Sequence, residues 1–456
     1  MVRALVVAAP ASGSGKTTVA TGLMGALRRR GTAVVGAKVG PDYIDPGYHA
    51  LATGRFARNL DPVLVGEQRI ARLAAHAAAG TDITVVEGVM GLFDGRCGTG
   101  GFGSTGFGST GHVATLLGAP VLLVVDVRGQ GRSLAALLHG FRSFDPGVRI
   151  AGVLLNRTGS ARHEQVCREA CAEVGLPVLG ALRRDDTLAV PSRHLGLVTA
   201  TEHAGAAAIV QAWADAVTAQ VDLDAVLALA DGTAAPAWDP ATEVSPVAAG
   251  PVAAAGPVIA LAGGPAFAFG YAEHAELLTA AGGTVVTVDP LRDEALPAGT
   301  AGLVLPGGFP EEHAAELSAN VALQAEIAAL AASGAPVHAE CAGLLYLGRA
   351  LDGLPMCGVL EAEAAMNGRL TLGYRDAVAR SGSVLHEEGA RVTGHEFHRS
   401  TVTPCGSDPP AWGWAGAPAE GFVRGGVHAS FLHTHPAGSP AAVARFVASC
   451  PRDRPS

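Results

Sequence analysis

The chain has 456 residues, too many for one compact core at ordinary domain sizes, so two domains are expected. Its formal net charge of −9 argues against a nucleic-acid partner, because a duplex demands a basic face. Hydrophobic residues reach 49% and aromatics only 5%, with 61 glycines and 28 prolines, which fits an α/β protein with many tight strand-to-helix turns.

The apolar N-terminus is short and runs straight into a glycine loop, so it reads as a first strand and not as a signal peptide. Strands are expected at 3–8, 33–39, 82–86, 120–125 and 150–155, with amphipathic segments between them, the pattern of a parallel sheet. Between the first strand and an amphipathic helix over 17–30 lies Ala9-Pro-Ala-Ser-Gly-Ser-Gly-Lys-Thr-Thr. This is the context of a phosphate-binding P-loop, although Pro10 stands where the strict pattern has glycine. Backbone N–H groups around Gly13, Ser14, Gly15 and Lys16 would cradle phosphates, Lys16 would reach the outer ones, and the Thr17 hydroxyl would bind Mg²⁺.

Two further segments follow predicted strands: Lys38-Val-Gly-Pro-Asp-Tyr-Ile-Asp-Pro and Glu87-Gly-Val-Met-Gly-Leu-Phe-Asp-Gly. Each would lie at the carboxyl edge of the sheet beside the P-loop. A metal on phosphate needs hard oxygen ligands, which Asp42 and Glu87 are placed to supply, while Asp45 and Asp94 could hold or orient a second substrate. An aspartate before Pro or Gly is ordinarily a turn residue. Four carboxylates at two strand ends beside a P-loop weigh against that reading. The pentapeptide Gly-Phe-Gly-Ser-Thr occurs at 101–105 and again at 106–110, and is read as a duplicated piece of loop without function.

Residues 231–256 read as an interdomain linker between a first domain at 1–230 and a second at 257–450, followed by a polar tail at 451–456. No charged residue occurs from 244 to 272, but four prolines in that stretch exclude an ordinary membrane helix. A second alternation has strands at 258–262, 284–288, 302–305 and 335–339. The last of these enters Ala335-Pro-Val-His-Ala-Glu-Cys-Ala-Gly-Leu-Leu-Tyr, where an apolar strand breaks into an elbow and a helix at Cys341. A thiol presented in this way can attack an amide carbon. Backbone N–H groups at Gly308, after Leu303-Val-Leu-Pro-Gly-Gly, and at Ala342 would form an oxyanion hole. His433, near the end of a short apolar strand, is the expected base, with His435 as the alternative two residues on. No acid follows His433 closely, so a third member of the site is not assigned. Of the seven cysteines, an odd and scattered set that fits a reducing cytoplasm, Cys97, Cys357, Cys405 and Cys450 read as buried or loop residues. Cys167 and Cys171 lack a second ligand pair and do not read as a zinc site.

These residues resemble the glutamine-dependent a,c-diamide synthases of corrinoid biosynthesis over nearly the whole chain. The segments that carry the resemblance are 38–46, 87–95, Arg193-His-Leu-Gly-Leu, Ala339-Glu-Cys-Ala-Gly, Leu372-Gly-Tyr-Arg and Gly394-His-Glu-Phe-His-Arg-Ser. The resemblance implies an N-terminal domain similar to dethiobiotin synthetase and a C-terminal domain similar to class I glutamine amidotransferases. It implies ATP, Mg²⁺, L-glutamine and either hydrogenobyrinic or cobyrinic acid as cofactor and substrates. It places Ser12, Gly13, Ser14, Gly15, Lys16, Thr17 and Thr18 on the phosphates and Asn156 and Arg157 at the adenine. Lys38, Tyr43, Asp45 and Asp94 would lie near the carboxylate being phosphorylated, with Cys341 as nucleophile and His433 as its base. Ala342 departs from the glycine expected after the nucleophile, and the repeat lengthens the loop after Asp94.

Cobyric acid synthase and an a,c-diamide synthase acting on a nickel tetrapyrrole share this chemistry, although the segment 38–46 leans away from the former. From another class, a P-loop regulatory ATPase with an inactive amidotransferase module is opposed by the presence of both Cys341 and His433. Nothing in the sequence sets the oligomeric state, a homodimer included.

Overall fold

Four apolar runs of the first half carry a polar side chain at or near their ends, namely Lys38, Glu87, Asp126 and Asn156, so burying the runs side by side collects those side chains at one edge. The computed structural model describes residues 2–96, 106–188, 192–193, 196–197, 199–200, 202–203, 205–244 and 256–451. Cys97, the first copy of the pentapeptide, the centre of the Arg193 motif, part of the expected linker and all but the first residue of the expected tail lie outside the described residues. Chain contacts divide the protein into two units, Met1–Trp238 and Asp239–Ser456.

The first unit is built on β1 (Ala4–Ala8), β2 (Val34–Val39), β3 (Arg58–Leu60), β4 (Ile83–Glu87), β5 (Val121–Asp126), β6 (Ile150–Thr158) and β7 (Val178–Arg183). They form a seven-stranded sheet of order β3-β2-β4-β1-β5-β6-β7. Every neighbouring pair is parallel, as right-handed strand–helix–strand crossovers require. The register sets Lys38 beside Glu87, and Glu87 beside Val7 at the end of β1. On the other flank Asp126 pairs with Asn156. The loop after β1 leads into α1 (Lys16–Arg29), and Asp45 with Pro46 opens α2 (Asp45–Thr53). The second pentapeptide copy starts α3 (Thr110–Leu117), where Ser109 accepts a hydrogen bond from the His112 N–H as N-cap. Helix α4 (Ala206–Gln220) packs on α1 and buries Trp213 against Tyr48.

Within the stretch read as a linker, Asp231 pairs with Ala4 in the first unit, and Pro240–Val244 forms a short helix, α5, in the second. The second unit then contains β8 (Val258–Ala262), α6 (Ala272–Ala280), β9 (Thr284–Val288), β10 (Thr300–Leu305) and β11 (Val337–Glu340). After these come α7 (Ala342–Leu347), β12 (Glu363–Ala379), β13 (Arg391–Thr403), β14 (Phe422–Arg424), β15 (Val427–Ser430) and α8 (Pro440–Ser449). The six-stranded sheet has the order β9-β8-β10-β11-β15-β14, parallel except for the β14 edge. The long β12–β13 hairpin belongs to a second sheet and is tied to the chain after β15 by a bridge between His395 and His433. Among the described residues no helix is long and apolar enough to cross a membrane.

At the C-terminal edge of the second unit's main sheet, α7 crosses β10 with almost no clearance. A Cβ placed on Gly343 would meet the Leu305 carbonyl oxygen at 2.4 Å and the Leu305 Cβ at 2.6 Å. Glycine is therefore required there by contact with backbone, which cannot swing away. Gly343→Val is expected to destabilise the protein by about 1–3 kcal/mol through overpacking. Denaturant unfolding of the purified variant measures this, and an unchanged midpoint would contradict it.

Candidate active site

In the first unit the loop of residues 9–15 closes over the end of β1, with Gly15 at φ 94° capping α1. A side chain at Gly15 would strike the Asn156 amide, whose Nδ2 donates to the Ser14 carbonyl at 2.8 Å. Arg157, at φ 61°, donates to the Gly13 carbonyl at 3.0 Å and to Asp126 at 2.6 Å. The end of β6 thus clasps the loop from outside. The Lys16 ammonium donates to the Met90 carbonyl at 2.5 Å and the Ala11 carbonyl at 3.4 Å. Burial, helped by the nearby Lys38 charge, pulls its pKa down to about 8.

Lys38 is only 3% exposed, and the surrounding charges are arranged around it. Its ammonium donates to Asp45 at 2.6 Å, Glu87 at 3.0 Å and the Gly88 carbonyl at 3.0 Å. Burial alone would depress its pKa, but the carboxylates of Asp45, Glu87 and Asp42 outweigh it and hold the ammonium protonated. Burial likewise favours a neutral Glu87, and the Lys38 charge and His49 overcome it, keeping the carboxylate ionised. Asp45 is pushed the other way, upward, by burial and by sharing the site with Asp42 and Glu87. The His49 Nε2 lies 2.7 Å from the second oxygen of Glu87.

The Thr17 hydroxyl donates to Glu87 at 2.6 Å and lies 3.3 Å from Asp45. A hydroxyl and two carboxylate oxygens therefore meet at one point, a hard oxygen set that suits a small divalent cation. Asp42 is placed differently from Asp45. Its Oδ1 accepts from the N–H groups of Ile44 and Asp45 at 2.8 and 3.1 Å, and its Oδ2 is 4.0 Å from Lys38. Among the described residues no three His, Cys, Asp or Glu side chains are grouped so as to hold a metal ion. Asp94 accepts from the Gly91 N–H at 2.8 Å, and Tyr43 is buried just before α2. Ser12, Thr18, Lys16 and Arg157 face the same open cleft as the carboxylates, a space of about 640 Å³.

In the second unit β11 ends at Glu340 and the chain reverses at Cys341, a non-glycine residue at φ 47°. The Cys341 N–H donates to the Ser430 carbonyl at 2.8 Å, which fixes the elbow to β15. Cys341 is 4% exposed. Burial drives its pKa up, Glu311 and Glu340 add to this, and a hydrogen bond from the Ala342 N–H opposes it. The resting sulfur therefore carries its proton and needs a base.

His433 lies beyond β15, which stops at Ser430, so the expected strand does not carry it. Its backbone instead exchanges two 2.9 Å hydrogen bonds with His395 of the hairpin. Its ring occupies the space a Gly307 side chain would fill, 2.4 Å from the ideal Cβ position. Burial pulls its pKa down to about 4, with Glu340 opposing, so the imidazole is neutral and able to accept a proton at physiological pH. Gly308, three residues past β10, is held against the Ala266 carbonyl, to which a Cβ would approach to 2.1 Å. His435 is used elsewhere: its Nδ1 accepts from the Ala437 N–H at 3.2 Å and its ring lies 4.0 Å from that of Tyr271.

Sequence reasoning missed Glu340, whose Oε2 lies 3.9 Å from the His433 Nδ1. It also missed His49, four residues after Asp45 and so on one face of α2 with it, a spacing that could have shown the link. Two of the quoted motifs turn out to be cross-strand partners, with Tyr374 opposite His395 and Gly373 opposite Glu396. Arg375 bonds Glu396 at 2.5 Å, and His398 stacks on Phe431 with ring centroids 3.8 Å apart.

Family models match both units. Residues 5–198 match the CobQ/CobB/MinD/ParA nucleotide binding domain, and residues 258–441 match the CobB/CobQ-like glutamine amidotransferase domain. A Mycobacterium tuberculosis protein named hydrogenobyrinate a,c-diamide synthase is 59% identical over 98% of both chains. A Streptomyces coelicolor protein of the same name is 56% identical over 98% of this chain and 97% of its own. A Gloeobacter violaceus protein named cobyrinate a,c-diamide synthase is 43% identical over 98% and 97%.

The buried histidines set an acid limit on the second unit. Burial depresses His274, His395 and His433 to about 4, about 3 and about 4, and holds His428 well below its ordinary value. In the unfolded chain each protonates near 6.5. Below that pH the unfolded state binds more protons, so their contribution is whole above about pH 6.5 and is lost as the pH falls toward 4. Calorimetry in steps over that window should show the midpoint of the second unit falling steeply, with uptake of several protons. A flat midpoint would contradict the burial of neutral imidazoles.

Proposed function

The chain belongs to the a,c-diamide synthase family of glutamine-dependent amidotransferases, and on that premise we propose that it amidates the a and c acetate carboxylates of hydrogenobyrinic acid. ATP activates each carboxylate, and ammonia released from L-glutamine displaces phosphate. The observation that carries this reading is the Cys341 elbow with His433 facing Glu340, the residue just before Cys341, in the same chain as a P-loop whose Thr17 meets Glu87. The metal-free substrate is favoured because relatives so named reach 59% and 56% identity, whereas relatives named for cobyrinate are 43% and 39% identical. Cobyrinic acid is the second reading.

In the thiol site His433 takes the Cys341 proton as sulfur bonds to the glutamine amide carbon. The N–H groups of Gly308 and Ala342 receive the developing oxyanion. His433 returns the proton to the leaving nitrogen, ammonia departs, and water then cleaves the thioester. In the phosphate cleft the N–H groups of the loop and the Lys16 ammonium steady the phosphate charge, while the substrate carboxylate attacks the outer phosphorus. Thr17, Glu87 and Asp45 would hold Mg²⁺, which lowers the charge repulsion between carboxylate and phosphates when bound. Asp42 shapes the first turn of α2 under that cluster, and Asn156 and Arg157 brace the loop at the adenine side. Lys38, Tyr43 and Asp94 lie on the segments we assign to the acceptor carboxylate. The described cysteines are all free thiols, which supports a reducing, cytoplasmic setting.

Cys341→Ala is expected to lower glutamine-dependent amidation at least roughly 10³-fold while amidation supplied with ammonium salt continues. Mass spectrometry of products from hydrogenobyrinic and cobyrinic acids, compared side by side, reads both the reaction and the substrate. ATP hydrolysis without amide product from either acid would refute the assignment.

A further inference from the structure

Glu340 touches both partners of the thiol site. Its backbone runs directly into Cys341, and its register partner on β15 is Ser430, the residue that accepts the Cys341 N–H. Its side chain reaches the segment that carries the base. Oε1 accepts from the Thr434 N–H at 2.9 Å and the Thr434 hydroxyl at 2.7 Å, and lies 3.3 Å from the His338 Nε2. Oε2 faces the Nδ1 of His433 at 3.9 Å. One carboxylate thus ties the strand of the nucleophile to the residue after the base and turns its second oxygen toward the base itself.

Other acids near His433 are committed elsewhere. Glu396 is bonded to Arg375 at 2.5 Å and lies 3.5 Å from His398. Glu420 accepts from the Phe431 N–H at 3.2 Å, and burial lifts it to about 8, so it is protonated at neutral pH. Two residues past His433, where an extended chain would turn a side chain to the same face, stands His435, packed on Tyr271. Glu340 is ionised: burial opposes the charge, but His338 and His433 hold it down at about 2.

We propose that Glu340 is the positioning residue of the thiol site, orienting His433 through Nδ1 and stabilising the imidazolium formed when Cys341 gives up its proton. The proposal rests on the glutaminase reading of Cys341 and His433. With Nδ1 turned to Glu340, the thiol proton passes to Nε2 as the sulfur–carbon bond forms. It leaves again on the departing nitrogen as the carbon–nitrogen bond breaks, and Glu340 stays ionised throughout. At 3.9 Å the contact is longer than a neutral hydrogen bond and is strongest when the imidazole is charged, which is the state that must be stabilised.

The test is steady-state glutaminase kinetics from pH 5 to 9 on the full chain carrying Glu340→Gln, Glu340→Asp or Thr434→Val, with Cys341→Ala as background. The groups felt by His433 over this range are Glu340, Glu396 and His398, with His395 beside it and His338 and His274 acting on Glu340. Glu340→Gln should lower kcat roughly 10²- to 10³-fold with KM changed by less than about threefold. It should also move the acid limb of kcat/KM to lower pH, because removing the negative charge makes the imidazolium easier to deprotonate. Glu340→Asp keeps the charge and should recover at least about tenfold of the loss, while Thr434→Val should lose less than about tenfold. A Gln variant within threefold of the parent, or a Thr434→Val variant with the same loss as Gln, would overturn the proposal and leave Glu340 a structural staple. Should the Gln variant not fold, Glu340→Asp decides: lower kcat with the acid limb in place supports the role, and parental kcat removes it. Glutaminase persisting in Cys341→Ala would instead overturn the parent reading.

Discussion

A charge without water must find its counter-charge in the protein, and in the first unit that requirement is met at Lys38. Its ammonium is held by Asp45, Glu87 and the Gly88 carbonyl, groups delivered by the start of α2 and by the end of β4. Removing one partner of such a buried set leaves the others uncompensated, at a cost of about 3–5 kcal/mol. Each local choice around the cleft follows from this pairing. Thr17 is held by Glu87, the second oxygen of Glu87 by His49, and the turn of α2 by Asp42. Lys38 and Glu87 are thus charged, and the carboxylates are aimed by the fold before any phosphate arrives, which is the preorganisation that phosphoryl transfer needs.

The second unit solves the same problem in the opposite sense. Its buried His274, His395, His428 and His433 are neutral and the Cys341 thiol is protonated, so these groups carry no charge that requires pairing. The ionised exceptions are acids, and they have partners: Glu340 has Thr434 and His338, and Glu396 has Arg375. Backbone hydrogen bonds do the remaining positioning. The Cys341 elbow hangs from Ser430, and His433 is clamped to His395, so Cys341 and His433 are set by two different sheets.

What could be read from the sequence was what depends on local pattern. The strands Val258–Ala262 and Thr284–Val288 fall where the apolar runs place them, and the glycine loop, the helix after it and the elbow at Cys341 follow from neighbouring residues. What could not be read depends on which way a side chain turns. Asp42 and Asp45 are both aspartates in one turn. Only the start of α2 at Asp45 decides that the first caps backbone while the second faces Thr17. His433 was legible by type, but the end of β15 at Ser430 leaves its place to a hairpin some 40 residues back in the chain. Glu340 was hidden for a plainer reason: alternation along β11 gives no hint that a side chain one residue before the nucleophile reaches the segment after the base. The short helix Pro240–Val244 lies in a stretch whose Ala, Pro and Thr content resembles a linker, so composition could not distinguish it.

On the proposed glutaminase reading, the raised pKa of the buried Cys341 thiol and the lowered one of the His433 imidazole have consequences for the product. The resting pair is neutral, because moving the proton from sulfur to nitrogen would create two charges in a dry site. Proton transfer must therefore accompany attack on the amide, when the developing oxyanion is met by backbone N–H groups. The imidazolium so formed is a stronger acid than an ordinary one and gives its proton readily to the departing nitrogen. Once it has done so the base is neutral again, and the strongly depressed His433 is a poor place for any proton to remain. Ammonia then leaves as the free base, the form whose lone pair can attack an acyl phosphate. The burial that makes Cys341 a reluctant nucleophile is thus the same burial that keeps its product reactive.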